Sequence, residues 1–157
     1  MRIDVAELYR KQSGMVFRRA LAVIGDVELA RDVVQEVFLD LHARQDAMQD
    51  GGLVSWLYTV TTNRSLKMLR DRANRARIVD ENAVRFIPRQ AAEPDVAAQL
   101  RSVLPRLDDE LARVAVHRHI DDMTHAEIAG VLGCSRRHVG NLIERLESQL
   151  VALRQAV

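Results

Sequence analysis

A single cysteine, Cys134, leaves no internal disulfide and no zinc site built on several thiolates. It suits a reducing compartment. Proline and glycine are scarce, 3 and 7 in 157 residues, which argues against a strand-and-turn architecture and for long helices. Aromatic residues make up 4%, so the core must be drawn from Leu, Val, Ile and Ala within an apolar fraction of 48%. The start, MRIDVAEL, lacks the apolar middle section of a signal peptide. The apolar run nearest to it, residues 20–24, is far too short to cross a bilayer. A cytoplasmic chain without membrane insertion is expected.

Net charge is only +1, but it is unevenly spread. Residues 26–50 hold seven acids against two bases, and residues 64–77 hold six bases against one acid. An acidic helix followed by a basic one suggests two different partners for one domain. Apolar periodicity predicts helices over 6–24, 27–43 and 54–77, with a loop at 46–52 marked by Asp50-Gly51-Gly52. Residues 78–95 contain Pro88 and Pro94 with weak periodicity and read as a linker. Helical periodicity then returns to the C-terminus, with a break near Pro105. The expected fold is all-α: two small helical domains, 1–77 and 96–157, joined by a linker at 78–95.

The second domain carries the clearest local motif. Thr124-His125-Ala126-Glu127 fits a capping box, in which hydroxyl and carboxylate each accept a backbone N–H of the other residue. The helix that follows stops at Gly133, and Ser135 is an N-cap candidate for the next. Ala129 allows close helix crossing, while Val139, Leu142 and Ile143 plug the second helix into a core. This is the pattern of a DNA-binding helix-turn-helix. Its groove-facing residues would be Arg136, Arg137, His138, Gly140, Asn141 and Arg145. Arg can read guanine, Asn can read adenine, and either can hold phosphate.

In the first domain, DVVQEVFLDL (32–41) splits at helical spacing. Val33, Val34, Val37, Phe38 and Leu41 form a core stripe. Asp32, Gln35, Glu36, Leu39 and Ala43 form the opposite face, where a central Leu among polar groups fits either a docking surface or an ordinary wet face. Along NRSLKMLRDR (63–72), Leu66 and Leu69 serve packing. Asn63, Lys67, Arg70 and Arg72 point elsewhere, as a phosphate-binding or a solvated basic face would.

No enzyme is expected. His117, Asp121 and His125 fall at successive four-residue steps, a ligand-like spacing, but the capping box at Thr124 breaks the helix that would align them. No metal, cofactor or catalytic residue is therefore assigned. Cys134 reads as a small turn residue and Trp56 as core.

Together these residues resemble the extracytoplasmic-function (ECF) sigma factors of bacteria. DVVQEVFLDL is similar to that family's polymerase-binding helix, SWLYTVTTNRSLKMLRDR (55–72) to its −10-facing helix, and residues 107–146 to its −35-binding domain. The resemblance implies that Asp32, Gln35, Glu36 and Leu39 dock on the β′ clamp helices of core RNA polymerase. It implies that Asn63, Lys67, Arg70 and Arg72 contact the −10 region of promoter DNA, and that Arg136, Arg137, His138, Asn141 and Arg145 enter the −35 major groove. The section 107–123 would support that domain and meet the β flap, and an anti-sigma factor would hold the free protein inactive. Three features depart from the family's pattern: His42 stands where an aromatic is usual, Met48-Gln49 replace an aromatic and an Arg, and Glu144 and Glu147 make the recognition helix less basic. A helix-turn-helix regulator that never joins polymerase is the alternative. It would not need the Asp32–Leu39 face.

Overall fold

Short polar side chains start five of the helices, and glycines end two of them. In the computed structural model, which describes residues 2–48, 51–80 and 96–155, Asp4 caps α1 (Val5–Ile24) by accepting from Glu7 N at 3.1 Å. Gly25 ends α1 at φ 74°, donating its N–H to the Leu21 carbonyl. Asp26 then caps α2 (Val27–Arg44), accepting from Glu28 N and Leu29 N. Helix α3 covers Leu53–Asp80. It continues three residues past the expected end at Arg77, because Ile78-Val79-Asp80 contains neither glycine nor proline to stop it. The rest of the expected linker, residues 81–95 with both of its prolines, lies outside the described residues.

The chain divides into two compact units, Met1–Met68 and Leu69–Val157, with the division inside α3. In the first, α1 packs on α2. The predicted stripe of Val33, Val34, Val37, Phe38 and Leu41 is buried together with Val16, Ala20, Val23 and Ile24 of α1. Tyr9 meets Phe38 edge-on, with ring centroids 5.0 Å apart. The start of α3 is anchored by Leu57, which is fully buried, whereas Trp56, expected in the core, is only half-buried. The difference is one of helical phase: Leu57 shares its face with Thr61, both buried, and Trp56 stands beside that line. Arg19 of α1 is buried. Its Nε donates to Thr62 Oγ1 at 2.7 Å, and its guanidinium lies 3.5 Å from the Tyr58 ring centroid. A buried cation is tolerable with such partners and costly without them.

The second unit holds α4 (Val96–Val103), α5 (Asp109–Ala115), α6 (His125–Leu132) and α7 (Arg136–Gln155). Pro105 sits in a short 3-10 turn, Leu104–Arg106, at the expected break. Asp108 caps α5, accepting from Leu111 N at 2.8 Å. Beyond α5 the chain widens into a π-turn, Val116–Ile120. The wider turn leaves Asp121 N bonded to the Val116 carbonyl and Met123 N to that of His117. It keeps His117 and Asp121 together: the buried imidazole Nδ1 lies 2.9 Å from Asp121 Oδ2. His125 begins the next helix, so the three-residue row is broken as the capping box requires. Among the described residues no group of His, Cys, Asp and Glu could hold a metal ion, and no helix is long and apolar enough to cross a membrane.

Candidate polymerase and nucleic-acid interfaces

The helix-turn-helix forms by the bonds its sequence specifies. Thr124 Oγ1 accepts from Glu127 N, and Glu127 Oε1 accepts from Thr124 N, each at 3.2 Å. Gly133 takes the left-handed conformation at φ 69°, and its N–H donates to the Ala129 carbonyl. Ser135 Oγ accepts from His138 N at 3.0 Å and opens α7. Ile128 and Ala129 of α6 are buried, as are Val139, Leu142, Ile143 and Leu146 of α7. With that face fixed against α5 and α6, Arg136, Arg137, His138, Asn141 and Arg145 are all left exposed.

These five are not equivalent. Among the described residues, the side chains of Arg136, Arg137 and Asn141 make no hydrogen bond or ion pair. His138 Nε2 lies 2.7 Å from Glu110 Oε1, and Arg145 lies 3.4 Å from Asp108 Oδ2. A carboxylate only accepts, so the imidazole proton sits on Nε2 in that contact. Sequence reasoning missed these acids. Their positions next to α7 depend on how α5 packs, and no local pattern announces that.

Gly140 lies within this surface, and a Cβ built there meets nothing within 4 Å. The fold itself therefore has no use for a glycine. Gly140→Ala is expected to stabilise the free protein by about 1 kcal/mol, through helix propensity alone. A urea titration checks this. A loss of DNA affinity in the same variant would place the α7 backbone against the duplex.

On α2, Asp32, Gln35, Glu36 and Leu39 are all exposed, and Leu39 is 68% exposed despite its apolar side chain. One member has an internal partner. Arg64 of α3 donates to Glu36 Oε2 at 3.1 Å and to Asp40 Oδ2 at 3.4 Å, and Asp40 also accepts from Arg44 at 2.8 Å. Arg64 stands in the basic run but was not among the candidates. Here it braces α3 on α2 and fixes the Glu36 carboxylate at one edge of the acidic face. On α3, Asn63, Lys67 and Arg72 are exposed. Arg70 is partly covered, donating to the Asp109 carboxylate and, at 3.4 Å, to the Leu107 carbonyl.

Residues 8–75 match the family model for Sigma-70 region 2, and residues 97–150 that for Sigma-70, region 4. Fold and site thus define a sigma-70-type protein with a helical region 2 and a helix-turn-helix region 4. Among curated relatives, the ECF RNA polymerase sigma factor SigL of Mycobacterium tuberculosis is 30% identical over 94% of this chain and 85% of its own length. SigM of Bacillus subtilis is 23% identical over 96% and 95%. SigE of Mycolicibacterium smegmatis is 29% identical over 92% of this chain, which spans 59% of that relative's length. This chain belongs to the ECF sigma factor family. Its fold is also that of the sigma factor RpoE co-crystallised with the anti-sigma factor NepR from Bartonella quintana, with a TM-score of 0.54 at 19% identity over 97% of each chain. The region 2 match is what a lone helix-turn-helix regulator has no need of, so that alternative is not favoured.

Proposed function

We propose that this chain binds core RNA polymerase and directs it to a specific class of promoters, without catalysing a reaction itself. The observation that carries the proposal is the exposed α2 face of Asp32, Gln35, Glu36 and Leu39, within a region 2 match on a chain that also has a region 4 match. In this reading residues 1–77 hold the polymerase-binding and −10 functions, 78–95 are linker, and 96–157 read the −35 element. Leu39 and its polar neighbours dock on the β′ clamp helices, and the 107–123 section meets the β flap. Asn63, Lys67, Arg70 and Arg72 follow the −10 strand as it opens, while Arg136, Arg137, His138, Asn141 and Arg145 enter the −35 groove. Two modest contacts joined through one polymerase give a bivalent grip that depends on promoter spacing. Sigma relatives support an anti-sigma factor as a further partner and a cytoplasmic site of action.

The test is reconstitution. Purified chain and core polymerase are mixed and resolved by size exclusion, and the complex is assayed for initiation on genomic fragments. A stable complex that starts transcription at discrete sites is expected. A folded chain that fails to bind core polymerase at low salt would overturn the proposal.

A further inference from the structure

The acids that face α7 divide its DNA-reading set into residues that stand ready and residues that are held. We infer that Glu110 and Asp108 are an internal competitor for DNA: in the free chain they occupy His138 and Arg145, and a bound duplex must displace them. The inference rests on the reading of α7 as the −35 helix. Asp108 cannot follow Arg145 onto DNA, because its other oxygen, Oδ1, is committed to capping α5 at Leu111 N. Glu110 sits in the first turn of the same helix, which α5 packing holds beside α7. A phosphate or base acceptor within reach of His138 Nε2 would come up against the Glu110 carboxylate, now 2.7 Å away. Like charges cannot share that donor, so one of them must leave. Both pairs are about half exposed, which keeps them weak enough to be exchanged for a phosphate.

The consequence is a division of labour. Arg136, Arg137 and Asn141 are available for first contact with any duplex. His138 and Arg145 join only where the site offers enough to replace their carboxylates. The acids thereby lower affinity for a duplex by up to the worth of the pairs they hold in the free chain, and act on binding although they read no base.

The experiment is a double-mutant cycle with the full chain and a fluorescein-labelled mixed-sequence duplex in low-salt buffer. Glu110→Gln should tighten binding roughly two- to fivefold, the range of an exposed contact to a carboxylate. In a His138→Gln background that gain should vanish. Asp108→Asn, which keeps a capping side chain, should behave in the same way against Arg145→Gln. Glu144 on α7 makes no such pair among the described residues, so Glu144→Gln supplies the same change of charge, and its effect should be equal in both backgrounds. Equal gains from Glu110→Gln with and without His138 would show mere surface electrostatics and overturn the inference. Weaker binding by Glu110→Gln would show that the acid positions His138 for DNA, and would overturn it too. Arg136→Ala/Arg137→Ala separates the two levels. If that variant still binds normally, the reading of α7 itself fails. If it loses binding while the cycles are additive, only the competitor fails.

Discussion

Asp32→Lys combined with Leu39→Arg should reduce affinity for core polymerase at least about a hundredfold, with the thermal midpoint within a few degrees of the parent. The magnitude follows from the two groups involved. A buried apolar anchor at the centre of an interface is worth about 2 kcal/mol or more when lost, and a misplaced charge in its pocket adds a desolvation cost. Leu39 is 68% exposed on the free chain, so arginine there clashes with nothing internal. Asp32 has no side-chain partner among the described residues, so reversing its charge breaks no brace. Glu36 is the poorer choice of target. A lysine there would face Arg64, which bonds Glu36 and Asp40, and would loosen α3 on α2. Loss of binding would then report damage to the unit as readily as loss of contact. Size exclusion with core polymerase, beside a melting curve of the free variant, checks the expectation. Unchanged affinity would mean that α2 is an ordinary solvated face.

Local signals in this sequence are strong, and the structure follows them closely. Thr124, Glu127, Gly133 and Ser135 fix the helix-turn-helix through bonds spanning three or four residues, so they can be read one after another. The buried stripe of α2 is legible for the same reason, since 3.6-residue periodicity is a local property. What escaped the sequence depends on packing between helices. Nothing near Arg64 says that its partners are Glu36 and Asp40, and nothing near His138 names Glu110. Trp56 shows a second limit: its large apolar side chain made it a core candidate, and helical phase gave that place to Leu57. The π-turn at Val116–Ile120 shows a third. The capping box at Thr124 excludes a shared face with His125, whereas the widened turn, which nothing local announces, still leaves His117 and Asp121 in contact. The roles proposed for the exposed residues rest on resemblance alone, because exposure states what is available and not what it binds.

Replacing Arg136 and Arg137 by alanine should cost the polymerase complex tens- to hundredfold in promoter affinity, and the salt dependence says what kind of contact each one makes. Both side chains are exposed at the start of α7, off the Val139, Leu142, Ile143 and Leu146 face that packs. Stability should therefore change little. If an arginine holds a phosphate, its loss weakens binding about equally on every sequence and lowers the slope of log K against log salt by roughly 1. If it pairs with a guanine edge, its loss costs about 1–3 kcal/mol on the preferred sequence, little on others, and relaxes the preference at that base. Glu144 and Glu147 further along α7 cannot anchor phosphate. With Arg145 paired to Asp108 in the free chain, the sequence-independent attraction of α7 should come chiefly from this first turn, which makes a phosphate role the expectation for at least one of the pair. Single and double alanine variants, titrated on a mapped promoter and on scrambled DNA at several salt concentrations, resolve the two roles. Unaltered affinity and slope in the double variant would remove α7 from the promoter and leave recognition to the basic face of α3.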